Sequence, residues 1–185
     1  MEKNSTLKDC SWKYLEPSKP NGLDMSQHKY TIIRDTREKN GWSFDFYETC
    51  EAVVDEGLKT GDYTAKGLEE LLVIERKASS GEIALNLGKK RKQFEAELER
   101  MREFRWRYII CEFSEDTLRM FPEGSTIPKS KWKYLRMNGK FMRKLLYEYE
   151  ENYEVTIIFT DNKQEAEEVA IGLINEAYTT LAQER

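Results

Sequence analysis

LLVIERKASSGE, residues 71–82, sets four apolar residues of strand character directly before three charges, Glu75, Arg76 and Lys77. An apolar run this short reads as a buried strand over 71–77. Ser79 stands three residues before Glu82, the spacing of a capping box, so a helix is expected just after the strand, broken at Gly88. Alternate residues of a strand share a face, so Glu75 and Lys77 point together and Arg76 points away. The charges serve either solubility or chemistry, and the rest of the chain decides between them.

Working outward, 30–34 is a short β-branched strand ending in the cluster Asp35-Thr36-Arg37-Glu38. Residues 42–46 alternate apolar and polar, as a half-buried strand or hairpin arm does, and the stretch to Leu58 fits helix and strand alike. Gly61-Asp62-Tyr63 leads into an extended piece and Gly67 allows a turn. Phe94, Leu98 and Met101 mark an amphipathic helix over 91–104, and 108–113 is a buried strand. A loop at 122–128 precedes the helical stripe Phe141, Met142, Leu145, Leu146 and Tyr149, in which Phe141 is assigned to the core. A last strand at 155–159 is followed by a helix over 162–182, with Asp161 as its N-cap and Gln164 closing a capping box. Strands followed by strands alternating with helices predict an α/β domain over 30–182, with a mixed central β-sheet flanked by helices on both faces. Residues 1–29, polar and interrupted by Pro17, Pro20 and Gly22, read as an irregular extension.

With 185 residues, 39% of them hydrophobic and 12% aromatic, the chain can close one core. It has no apolar run of membrane-spanning length and no signal-peptide core, so a cytoplasmic location is expected. Cys10, Cys50, Cys111 and the single His28 offer no zinc-ligand spacing and read as reduced thiols and a lone imidazole. The net charge of −4 argues against a generally basic nucleic-acid binder, yet the signs are segregated. Residues 129–144 (KSKWKYLRMNGKFMRK) hold seven Lys or Arg and no acid, Lys89-Lys90-Arg91-Lys92 is a second basic knot, and 45–56 is acidic. Segregation of this kind suits an anionic partner on one face.

Asp35 ends one predicted strand, Asp62 opens a second, and Glu75 and Lys77 close a third. Carboxylates from separate strands followed by Glu-x-Lys suit a hard cation such as Mg²⁺, with an ammonium beside a phosphate, and hence phosphodiester hydrolysis by a metal-activated water. The triplet alone serves equally well as an ion pair at a strand end. Asp161-Asn162-Lys163 is the internal control, an acid-x-Lys triplet explained by helix capping.

Asp35-Thr36-Arg37-Glu38, then Gly61-Asp62-Tyr63, then Val73-Ile74-Glu75-Arg76-Lys77, then the helix bearing Phe94 to Arg100 and a strand ending in Glu112, resembles in this order the XPF/Hef-type endonuclease domain of the restriction-endonuclease-like PD-(D/E)XK superfamily. The similarity spans roughly residues 30–180 of this chain. It implies a restriction-endonuclease-like fold and a Mg²⁺- or Mn²⁺-dependent DNA endonuclease selective for flap, fork or junction DNA. Asp62, Glu75 and the Arg76 carbonyl would hold the metal, Lys77 would be the catalytic lysine, and Asp35 would be a further acid at the metal. Arg37 and Glu38 would line the cleft, and the Arg76 side chain would brace the sheet end or meet a phosphate. Lys89, Lys90, Arg91, Lys92, Lys129, Lys131, Lys133, Arg136, Lys140, Arg143 and Lys144 would neutralise DNA phosphates, with Trp132, Tyr134 or Phe141 stacking on an unpaired base. Pairing of two copies through this domain would also fit.

Two departures stand out. The family pattern ERKxxxD puts an acid where this chain has Gly81, with Glu82 one residue late, and no tandem helix-hairpin-helix module is expected within these 185 residues. A catalytically silent DNA-binding or scaffold module of the same fold is therefore the alternative function, and a protein-interaction domain is a third.

Overall fold

A computed structural model of the chain describes residues 29–125 and 127–184. The extension expected over 1–29 lies outside these residues except for Lys29, as do Cys10 and His28. Six strands are described: β1 (Tyr30–Asp35), β2 (Cys50–Glu56), β3 (Tyr63–Ala65), β4 (Leu72–Lys77), β5 (Trp106–Cys111) and β6 (Thr156–Phe159). They form one mixed sheet in the order β2-β1-β3-β4-β5-β6. Short β3 runs antiparallel to both its neighbours, and the other adjacent pairs are parallel.

The period of two along β4 sorts its residues between two cores. Val73 packs with Ile83 and Leu87 of α1 (Ser80–Leu87), Phe94, Leu98 and Met101 of α2 (Arg91–Met101), and Met142 and Leu146 of α4 (Gly139–Tyr153). Leu72 and Ile74 face the other way, onto Trp42, Phe44 and Ala166, Ala170 and Ile174 of α5 (Lys163–Gln183). Helices thus cover both faces, and the α/β architecture read from the element order is the one observed. Because β4 is central and covered on both sides, all six of its residues are buried, charges included. Edge strand β2 buries none of its residues fully, which is why its pattern was ambiguous in sequence. A short α3 (Glu115–Arg119) and a 3-10 helix (Lys129–Tyr134) connect β5 to α4.

Three local expectations are corrected. Trp42 and Phe44 alternate with exposed Ser43 and Asp45, but the segment is not a strand: Phe44 has φ 57°, in the left-handed region. Side chains hold it instead, with Trp42 N–H donating to Tyr63 Oη at 2.7 Å and the Trp42 and Tyr63 rings stacked at 4.5 Å. Phe46 is 92% exposed. Phe141, assigned to the core from its helical stripe, is also exposed, because at about 100° per residue it lies to the side of the buried stripe Gly139, Met142, Leu145, Leu146 and Tyr149. The N-cap of α5 is Asn162, not Asp161: its side chain accepts from Glu165 N–H, and Glu165 reaches back to Asp161 N–H, a box shifted by one residue.

Gly61 fixes the approach to β3. It has φ +76°, and a Cβ there would run into the Val73 side chain and lie 3.1 Å from the Ile74 carbonyl oxygen. Only glycine lets residues 60–62 lie flat on β4 in this conformation. Gly61→Ala is expected to cost at least about 2 kcal/mol, several degrees of melting temperature, measurable by thermal denaturation.

Candidate active site

The charged end of β4 is compensated face by face. On the α1/α2 face, Lys77 Nζ lies 2.5 Å from Glu75 Oε1 and 3.5 Å from Glu82 Oε1, with its ammonium 5.2 Å from the centre of the Phe94 ring. Glu75 is 6% exposed and Lys77 3%. On the opposite face, Arg76 is engaged by both Glu112 oxygens (2.7 and 2.8 Å) and by Glu38 at 3.2 Å. Trp42 Nε1 also donates to Glu112, at 2.8 Å. Arg76 therefore braces the sheet end, and its side chain is buried; the expectation that it meets a DNA phosphate is corrected.

The register brings Asp62 to the same place. Tyr63 pairs with Ile74 across the antiparallel β3/β4 ladder, so Asp62 lies one step on, opposite Glu75. Its backbone N–H donates to the Ile74 carbonyl and its carbonyl accepts from Asp35 N–H, each at 2.8 Å, while Oδ2 accepts from Arg76 N–H at 2.8 Å. The Arg76 N–H and C=O face β3, as those of Ile74 do, but β3 begins at Tyr63, so no strand partner reaches the Arg76 carbonyl.

Burial dominates the titration of these groups. Desolvation raises the Asp62 carboxyl to about 6, with the Arg76 N–H and the Lys77 ammonium pulling the other way. Desolvation likewise raises Glu75 to about 8, against Lys77. Burial works against the charge on Lys77, yet Glu75 and Glu82 hold the ammonium above its ordinary value.

Asp35 is corrected as a metal ligand. Its Oδ1 accepts from Arg37 N–H and Nε (2.8 and 2.6 Å), and its Oδ2 from Arg37 Nη2 and Leu58 N–H (3.0 and 2.7 Å). A carboxylate offers about four acceptor sites, and four donors fill them. Asp35 is an anchor that ties the ends of β1 and β2 to Arg37. Burial opposes its ionisation, but the hydrogen bonds from Arg37 and Leu58 outweigh it and hold the carboxyl below its ordinary value.

The remaining donors suit a hard divalent cation. Asp62 Oδ1 and Glu75 Oε2 accept no hydrogen bond among the described residues, and the Arg76 carbonyl, on the β3 side of the same strand end, has no strand partner among them either. Among the described residues no three His, Cys, Asp or Glu side chains converge to hold an ion by themselves. Two carboxylates and a carbonyl, completed by water, is a donor set of the kind Mg²⁺ takes. Glu97 of α2, which the sequence did not single out, bears electrostatically on Asp62, Glu75 and Arg37. It sits one turn from both Phe94, under Lys77, and Arg100, whose Nε donates to Thr60 at 3.2 Å. Helical spacing would have found it only once α2 was known to lie over the cleft.

The two basic runs meet. Met137 packs beside Gly88, the residue before Lys89, which brings the end of the second basic run to the start of the first. Among the described residues Lys89, Lys90, Lys92, Lys129, Lys131, Lys133, Arg136 and Lys140 form no ion pair with an acid. Arg91 pairs with Glu95, and Lys144 approaches Glu148 while staying largely exposed. Arg143 is corrected as a phosphate contact: it lies between Glu115 and Glu150 with its guanidinium 3.3 Å from the Tyr147 ring centre. Trp132 is half-buried, its Nε1 donating to the Ile127 carbonyl, whereas Tyr134 is 72% exposed. Arg37 turns its guanidinium back onto Asp35 and the Leu58 carbonyl, while its side chain stays largely exposed.

No family model matches the chain, and no curated protein matches it. Among solved structures it is similar to XPF from Aeropyrum pernix, at 18% identity and TM-score 0.58, over 80% of this chain and 61% of that one. It is similar also to XPF from Aeropyrum pernix in complex with DNA, at 18% identity and TM-score 0.58, over 82% and 66%. The chain has an XPF-type fold and spans less than two thirds of either XPF chain.

If Asp35 is an anchor, Asp35→Asn puts an amide NH₂ against N–H donors and should cost about 2–3 kcal/mol. The folded carboxyl is depressed, so its contribution is present above its unfolded value and lost as pH falls through the folded one. Melting curves of wild type and variant should therefore differ near neutrality and begin to converge only as pH falls below about 4.

Proposed function

We propose that the protein is a metal-dependent DNA endonuclease that hydrolyses phosphodiester bonds and selects flap, fork or junction DNA. The observation that carries this reading is the end of β4, where Asp62, Glu75 and the Arg76 carbonyl keep oxygens free of protein donors beside a buried lysine. Asp62, Glu75 and the Arg76 carbonyl would hold Mg²⁺ or Mn²⁺, which when bound would supply an acidified water and Lewis-acid charge for the scissile phosphate. Lys77 offers its ammonium to the same phosphate, from a position that Phe94 shields from solvent. Arg37, exposed and fixed at one end by Asp35, is placed to bind a neighbouring phosphate.

DNA is the fitting polymer because unpaired cations gather at the far end of α1. That helix has eight residues, about 12 Å of rise, or some three to four base pairs of duplex. A backbone that enters at Lys77 and follows α1 thus comes to Lys89–Lys92 within half a helical turn. Tyr134, exposed among those lysines, offers a stacking surface for an unpaired base and supports selection of junctions over plain duplex. The likeness to an XPF structure in complex with DNA supports the same partner. Among the described residues no helix is long and apolar enough to cross a membrane. Pairing of two copies through this domain belongs to the same reading, and sedimentation measures it.

A silent scaffold is the second reading, favoured by Gly81 in place of an acid. Cleavage separates the two. Purified protein with Mg²⁺ or Mn²⁺ is expected to nick a flap or fork, and Glu75→Ala or Lys77→Ala to lower kcat at least about 1000-fold with the fold retained. Activity unchanged by both substitutions, or salt-dependent DNA binding without cation binding, would reject the nuclease reading. Replacing Lys129, Lys131 and Lys133 with Ala should flatten the slope of log affinity against log salt by about 2 to 3.

The pH response gives a further check. Asp62 and Glu75 are raised, so without cation their contribution to stability is present at low pH and lost as pH rises through about 6 and about 8. Cation binding needs both ionised, so Mg²⁺ should raise the melting temperature more at about pH 8.5 than at about pH 5.5.

A further inference from the structure

Two carboxylates hold Lys77, and only one of them belongs to the proposed cation site. Glu75 Oε1 is at 2.5 Å and Glu82 Oε1 at 3.5 Å from Nζ. Glu82 occupies the third position of α1, where its N–H donates to Ser79 Oγ at 3.2 Å and its Oε2 accepts from Ala78 N–H at 3.0 Å. This capping box turns the side chain back over the end of β4. It leaves Oε1 for the ammonium, and so an acid one residue late in sequence arrives beside the lysine.

We propose that Glu82 is the positioning residue for Lys77, standing in for the acid that this chain lacks at Gly81; this rests on the nuclease reading of the same site. An ammonium only 3% exposed needs a counter-charge at all times. Glu75 serves alone only while its charge is not also spent on a divalent cation, and a cation against Glu75 repels the ammonium next to it. Glu82 lies outside the Asp62–Glu75 pair, its side chain 38% exposed and anchored by backbone donors. Its charge stays on Lys77 whatever Glu75 binds. Asp62 spends one oxygen on the Arg76 N–H, and Glu97 makes no hydrogen bond or ion pair among the described residues, so neither substitutes for it.

The test separates charge from helix capping. In Glu82→Gln the amide oxygen can still accept from Ala78 N–H, but the charge facing Lys77 is gone. In Ser79→Ala the cap is lost and the charge remains. The lysine ammonium ¹H–¹⁵N spectrum of the full chain, with the Lys77 signal assigned by its loss in Lys77→Met, should show that signal shifted or broadened by water exchange in Glu82→Gln and in place in Ser79→Ala. On a flap substrate with Mg²⁺, Glu82→Gln should lower kcat about 10- to 100-fold with KM within about twofold, whereas Ser79→Ala lowers melting temperature and spares kcat. An unmoved Lys77 signal or an unchanged kcat in Glu82→Gln overturns the proposal, as does an equal effect of Ser79→Ala. Absence of cleavage by wild type defeats the nuclease reading instead, and the ammonium signal then decides the role of Glu82.

Discussion

A charge on a central strand has no water to answer it, and β4 carries three in a row. The surrounding structure is arranged around that cost. On one face Lys77 is answered by Glu75 and Glu82; on the other Arg76 is answered by Glu112 and Glu38, with Trp42 tying Glu112 in place. Ion pairs this buried add little net stability over well-packed apolar side chains of similar size, but losing one partner costs about 3–5 kcal/mol. A sheet that needed only to be stable would have continued β4 with valine or isoleucine. The Arg76 network looks structural, since every partner is internal. The Glu75 side differs, because Glu75 Oε2 and Asp62 Oδ1 accept no hydrogen bond among the described residues.

The topology explains why these residues meet. A short antiparallel β3 between parallel neighbours lets the loop before it fold flat over the end of β4, and Gly61 makes that approach possible. Asp62 then faces Glu75, and Arg76 N–H fixes its carboxylate. Asp35 secures the next strand along by closing on Arg37 and Leu58. The anchor and the site are thus adjacent through the hydrogen bond from Asp35 N–H to the Asp62 carbonyl.

Much of this was legible in the sequence because it is local. The alternation along 71–77 correctly put Glu75 with Lys77 and Arg76 opposite, and Ser79 with Glu82 correctly marked the start of α1. What failed was long-range. Alternation at 42–46 encoded burial, not ladder hydrogen bonds, since the partners of Trp42 are Tyr63 and Glu112, far along the chain. Phe141 sits beside the apolar stripe of α4, at the edge of the face that docking covers, and stays exposed. The donors that fill Asp35, the packing of Met137 beside Gly88, and the approach of Glu97 to Asp62 and Glu75 depend on how elements dock, which no local pattern carries. At 18% identity, the likeness to XPF secures the fold, and the function then rests on the chemistry of the β4 end.

The most direct test of that chemistry is anomalous diffraction from crystals grown with Mn²⁺. The account predicts one peak between the Asp62 and Glu75 carboxylates, with Lys77 still against Glu82. No peak between Asp62 and Glu75 at saturating Mn²⁺, or a peak held by Asp35 instead, would contradict it.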